Sequence, residues 1–128
     1  MIFTADSKRI LILGSILAAL AVMIGAFGAH GLKNIVAENL LQTFETGVRY
    51  HFYHAFALLF LGILKLNLPQ LKTNLISLAF AVGILLFSFN CYFYVISGIK
   101  IFAILVPIGG VLFIVGWLAL AFGLLRLK

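Results

Sequence analysis

Residues 101 to 125 read IFAILVPIGGVLFIVGWLALAFGLL, 25 consecutive positions without a charged side chain. A helix needs about 20 apolar residues to cross the hydrocarbon core of a bilayer, so this stretch reads as a helix built to lie in lipid. The rest of the chain has the same character. Of its 128 residues 65% are hydrophobic and 9% charged, and the mean hydropathy is +1.26. A soluble domain carries roughly 45–50% apolar and about 25% charged residues. Disorder is excluded by the abundance of Leu, Ile, Phe and Val. Barrel strands would alternate apolar and polar residues, whereas these runs are continuously apolar. The expectation is an all-α integral membrane protein: four transmembrane helices in an antiparallel bundle, with residues 1–128 forming a single membrane domain.

Working back from this last span, the sequence predicts span 3 at about 75–96, closed by the Ser97-Gly98 turn. Span 2 covers about 48–66 and ends before Pro69, which stops the helix. It is the least hydrophobic span, because its first turns carry Arg49, Tyr50, His51, Tyr53 and His54. That half must be sheltered by other helices or sit at the interface. Span 1 covers about 10–28, roughly 28 Å of helix at 1.5 Å per residue, after a cap at Asp6 or Ser7. It also has the form of a signal peptide, and we expect it to be retained as a span. Between spans 1 and 2, Val36, Leu40, Leu41 and Phe44 fall at helical spacing among Lys33, Asn34, Glu38, Asn39 and Gln42. This pattern predicts a short amphipathic helix lying in the interface. Pro107 removes a backbone donor inside span 4 and should kink it.

The formal charge of +6 is scattered over the span ends. It forms no basic stripe of the kind that tracks nucleic acid, so no nucleic-acid partner is expected. Basic flanks instead set topology. With four spans both termini share one side, which collects Lys8, Arg9, Lys65, Lys72, Arg126 and Lys128. The other side holds Lys33, Arg49 and Lys100, offset by Glu38 and Glu45. The excess predicts both termini in the cytoplasm. Cys91 is the only cysteine, which excludes an intrachain disulfide and a cysteine metal cluster.

Small residues mark the faces expected to pack. Gly14, Ala18, Ala21, Gly25 and Gly28 recur every three or four positions in span 1, and Gly109, Gly116 and Gly123 every seven in span 4. Such lines let helix backbones approach closely, which matters in lipid because apolar burial no longer drives association.

The candidate polar site is His30, Glu45, Arg49, Tyr50, His51, His54, Ser88, Asn90 and Tyr92. Tyr50 and His54 are four apart, and His51 and His54 three apart, so each pair shares a helix face. These groups should converge near the outer face, with Glu45 paired to Arg49 or His30. Ionisable groups inside spans are costly and need partners. The leading reading is a hydrogen-bonded network that fixes helix register. The alternatives are a metal or haem site using His30 with His54 or His51, and a proton or small-solute path. Catalysis is disfavoured because no nucleophile–base–acid set is visible, and Ser88 lacks a GxSxG frame. No cofactor is expected.

Several of these residues form an ordered signature. Gly25-Ala26-Phe27-Gly28-Ala29-His30-Gly31-Leu32 closes span 1. Phe44-Glu45-Thr46-Gly47, Tyr50 with His54, Phe87-Ser88 with Tyr92, Pro107-Ile108-Gly109-Gly110 and Gly116-Trp117 follow. The order resembles the bacterial membrane family "domain of unknown function 423", with eukaryotic relatives of the transmembrane protein 256 type, over nearly the whole chain. The resemblance implies a small four-span protein of the bacterial inner (plasma) membrane and supplies no activity. Gly25, Gly28, His30, Glu45, Tyr50, His54, Ser88, Tyr92, Pro107, Gly109, Gly110 and Trp117 match its signature positions. Phe89-Asn90 stands where the family usually reads Gly-Ser, and Val106 where Thr is usual. The function expected is structural, or that of an interaction or assembly partner in the membrane. Its partners would be the lipid bilayer and copies of itself or other membrane proteins. The alternative is a His-based ligand, metal or haem binder, or a small-solute or proton pathway.

Overall fold

The computed structural model describes residues 3–127. Lys128, one of the six basic residues assigned to the terminal side, lies outside them. Helix α1 spans Ala5–Phe27 and continues as one π-helical turn over Gly28–Leu32. Its cap is Thr4, ahead of the expected Asp6 or Ser7: the Thr4 hydroxyl accepts from the Ser7 amide at 3.2 Å, and Ser7 Oγ donates back to the Thr4 carbonyl at 2.9 Å. Helix α2 spans Glu38–Asn67. Helix α3, Asn74–Ile84, runs through a π-helical turn at Leu85–Phe89 into α4, Asn90–Ser97. Gly98 ends α4 with φ of 70°, the left-handed cap position that favours glycine, and its amide closes on the Tyr94 carbonyl at 2.8 Å. Helix α5 spans Lys100–Leu125 and continues through Pro107 without a break.

Four helical stretches are therefore long and apolar enough to cross a membrane: Ala5–Leu32, Glu38–Asn67, Asn74–Ser97 and Lys100–Leu125. Among the described residues there is no strand. The amphipathic segment ahead of span 2 is not a separate short helix. Residues 38–47 are the first turns of α2 itself, and their apolar face meets protein: Phe44 is buried beside Leu32, Tyr92 and Val95, with Leu40 and Leu41 packed against them. A helix face that docks on neighbouring helices has the same periodicity as one lying on lipid.

Contacts run in opposite order along α1 and α2. Leu11 meets Gly62, Gly14 meets Ala55 and Leu59, Gly25 meets Val48, and Gly28 meets Phe44. The same holds for α5 against the elements before it: Gly109 meets Phe87, Phe113 meets Gly83, Gly116 meets Phe80, and Gly123 meets Leu71. These registers gather Lys8, Arg9, Lys65, Lys72 and Arg126 at one end of the molecule. Lys33, Arg49 and Lys100 lie toward the other. Helices α2 and α3–α4 form the middle, with α1 against α2 and α5 against α3–α4. The buried share of each apolar window follows: 44% and 50% for the middle pair, 22% and 17% for the flanking helices. This is why α2 tolerates His51 and His54, which are buried against neighbouring helices, whereas Tyr50 and Tyr53 are exposed.

Ala18 packs at the edge of the main core cluster, and Ala21 is fully buried. That cluster includes Leu58, Leu61, Ile76, Phe80, Ile84, Phe113 and Leu120; a second one is formed by Leu32, Phe44, Cys91, Tyr92 and Val95. The turn of α2 from His51 to His54 joins the two clusters.

Candidate functional site

His54 is 3% exposed, and both of its ring nitrogens are engaged. Nδ1 lies 2.8 Å from the Tyr50 carbonyl one turn back, and Nε2 lies 3.1 Å from Trp117 Nε1 of α5. A carbonyl can only accept and an indole N–H can only donate. The two partners therefore assign His54 as the neutral Nδ1–H tautomer. The ring stacks on Phe113 with centroids 3.5 Å apart and planes 6° from parallel, and Phe80 lies tilted to it at 5.5 Å. Phe80 also touches the Trp117 ring at 4.9 Å. Trp117, which reads as apolar bulk in the sequence, is thus the hydrogen-bond donor that ties α5 to α2.

One turn away His51 is fully buried and makes a 3.0 Å hydrogen bond from Nδ1 to the Tyr92 hydroxyl of α4. Among the described residues its Nε2 meets no partner at hydrogen-bond geometry. Ser88 is fully buried, and among the described residues its Oγ meets no partner at hydrogen-bond geometry. Tyr92 comes this close because Gly47 faces it: a Cβ at Gly47 would stand 2.9 Å from the Tyr92 ring, 2.8 Å from Cys91 Cβ and 3.2 Å from the Ser88 carbonyl. Gly47→Ala is accordingly expected to destabilise the protein by on the order of 1–3 kcal/mol for overpacking, read as a lower thermal unfolding midpoint of the purified protein. An unchanged midpoint would mean that α4 moves aside freely.

The structure separates the sequence-derived site into two groups. His51, His54, Tyr92 and Ser88 are buried in the middle of the molecule, and Tyr50 lies beside them with its ring 4.8 Å from Phe87. Asn90 is buried but turns back on its own helix, donating to the Leu86 carbonyl at 2.8 Å, where the π-helical turn disturbs the backbone ladder. His30, Glu45 and Arg49 are all exposed and do not converge with His54. Helical geometry gives the reason. Glu45 precedes His54 by nine residues, about 13 Å of helix and half a turn out of phase. Nor does His54 sit near a helix end. Phe113, on which His54 stacks, is at the middle of Lys100–Leu125, so His54 lies at mid-height. The expected pairing of Glu45 with Arg49 or His30 does not form among the described residues. No three His, Cys, Asp or Glu side chains group to hold a metal ion among them either. For His54 to coordinate a metal through Nε2, Trp117 would have to be displaced.

Between α2, the π-helical turn at Leu85–Phe89 and α5 an aromatic groove of about 670 Å³ opens beside this network, lined by Tyr50, Tyr53, His54, Phe87, Phe113 and Trp117 among others. Gly62 and Gly83 stand outside the regular small-residue lines of the sequence. A Cβ at Gly62 or Gly83 would come within 2.6 Å of Leu11 or Phe113. Their only signal is an isolated glycine inside a helix, where its intrinsic cost of about 1 kcal/mol demands a compensating contact.

Four long apolar helices, with two histidines buried among them, define a polytopic helical membrane protein. The chain belongs to the family described as "Protein of unknown function (DUF423)", which matches residues 24–110. It is 44% identical over 113 residues to the UPF0382 membrane protein YwdK of Bacillus subtilis, covering 87% of this chain and 91% of that one. A UPF0382 membrane protein of Staphylococcus saprophyticus is 39% identical over 120 residues, covering 94% and 99% of the two chains. One of Staphylococcus aureus is 39% identical over 113 residues, covering 88% and 92%. No solved structure matches the chain.

Proposed function

We propose that this protein is a non-catalytic component of the bacterial inner membrane without a resident cofactor. It forms a single four-span antiparallel bundle with both termini in the cytoplasm, and it acts by structure or by association with copies of itself or other membrane proteins. The orientation rests on the basic residues gathered at the terminal end. The observation that carries the reading is the saturation of His54. Its two nitrogens are already used by Tyr50 and Trp117, so its role is to hold α2 and α5 in register. Inside a bilayer such bonds fix geometry, since an unpaired polar group there is costly.

Metal analysis and an absorbance spectrum of the purified protein test this. The expected result is no stoichiometric metal and no haem band, with His54→Ala lowering the unfolding midpoint while leaving the spectrum unchanged. About one metal ion or haem per chain, lost on His54→Ala, would overturn it in favour of a His-based binding function.

A further inference from the structure

A second cavity, of about 920 Å³, lies far from the histidines, between the α2–α3 loop and the last turns of α5. Its chemistry is divided. Lys72, Arg126 and Gln70 supply polar groups, while Leu75, Ala119 and Phe122 supply apolar wall. The loop is held in place. Lys65 Nζ donates to the Pro69 and Leu71 carbonyls at 2.8 Å each, and Leu71, 1% exposed, abuts Gly123 of α5. Arg126 is also placed, its guanidinium carbon 4.9 Å from the centroid of the Phe122 ring that forms part of the wall.

The electrostatics point one way. Two of the chain's three acidic residues, Glu38 and Glu45, lie toward the far end of α2. The third, Asp6, is in the first turn of α1 and outside the cavity lining. Helix α3 begins at Asn74 with no side-chain cap, so the amides of its first turn, among them those of the lining residues Leu75 and Ile76, present the positive end of the helix dipole. Being at the ends of the spanning helices, this cation-edged cavity falls at headgroup depth, and its apolar wall continues toward the hydrocarbon. A free phosphate would match the edge and leave the wall empty. A phospholipid fills both.

We propose that this cavity binds one anionic phospholipid, its phosphate at Lys72 and Arg126 and an acyl chain along Leu75 and Phe122. The test is native mass spectrometry of the detergent-solubilised full chain titrated with phosphatidylglycerol or with phosphatidylcholine of the same acyl chains. The wild type is expected to retain phosphatidylglycerol in preference to phosphatidylcholine. Because both cations are exposed, Lys72→Gln/Arg126→Gln should fold normally and bind phosphatidylglycerol about thirtyfold more weakly, as two cations at a membrane surface imply. Lys33→Gln/Lys100→Gln, at the opposite end, should bind as the wild type does. Equal retention of both lipids by the wild type would overturn the proposal, and that comparison needs no variant. So would undiminished binding by the Lys72/Arg126 variant, or an equal loss in the Lys33/Lys100 variant, which would indicate diffuse charge. Inorganic phosphate displacing the lipid at millimolar concentration would assign the edge to free phosphate instead.

Discussion

Gly109→Ala should strongly destabilise the protein, while Gly110→Ala, one residue along, should be neutral or slightly stabilising. A Cβ at Gly109 would fall on the backbone of Leu86 and Phe87, including the Phe87 nitrogen. A neighbouring side chain can change rotamer, but a helix backbone cannot, so α5 would have to separate from the π-helical turn at Leu85–Phe89. Overpacking of this kind costs about 1–3 kcal/mol, with backbone obstruction at the upper end. It outweighs the gain of about 1 kcal/mol that alanine brings over glycine in a helix interior. At Gly110 the added Cβ would meet only the Phe87 ring, at 3.7 Å, an ordinary contact. There the helix-propensity gain is unopposed. Thermal unfolding in detergent, followed by loss of the monodisperse peak, measures both variants. Equal midpoints would show that α5 does not lie against α3 in this register.

The second large effect is expected at the histidine–tryptophan tie. His54→Ala removes a ring stacked on Phe113 at 3.5 Å and leaves a void among Phe80, Phe113 and Trp117. By analogy with other buried aromatic truncations this costs about 3–5 kcal/mol. Trp117→Phe keeps most of the ring volume but deletes the donor, leaving His54 Nε2 without its partner. Interhelical hydrogen bonds in membranes are worth about 0.6 kcal/mol on average and at most about 1.7, so the smaller loss belongs to this variant. The double variant should show positive coupling of that size, because once His54 is gone Trp117 has no acceptor to lose. Strict additivity would mean that the two side chains stabilise the fold separately.

The spans are legible in the sequence because lipid demands uninterrupted apolar runs, and 101–125 meets that demand without exception. The heptad line Gly109, Gly116 and Gly123 is also visible as a pattern, and it corresponds to contacts on Phe87, Phe80 and Leu71. Other features have no linear signature. Phe44 docks on Tyr92 at 4.9 Å and sets the apolar face of the first turns of α2 against protein. Nothing in the spacing of Leu40, Leu41 and Phe44 distinguishes that from a helix lying on lipid. Tyr50 and His54 share a face with each other by arithmetic. Their partner Trp117 lies 63 residues on from His54 and is reached only through the packing of α5. Charge made Glu45, Arg49 and His30 conspicuous, yet helical phase and height place them away from His54 at the exposed surface.

Both nitrogens of His54 are committed to protein partners, which makes it a neutral tie between α2 and α5. Nitrogen-15 NMR of the histidine-labelled protein, with His54 assigned by its loss in His54→Ala, reads this directly. The expected spectrum is that of a neutral imidazole protonated at Nδ1, with Nε2 an acceptor whose resonance shifts in Trp117→Phe. A proton on Nε2, a doubly protonated ring, or the shift pattern of a metal-bound nitrogen would contradict it.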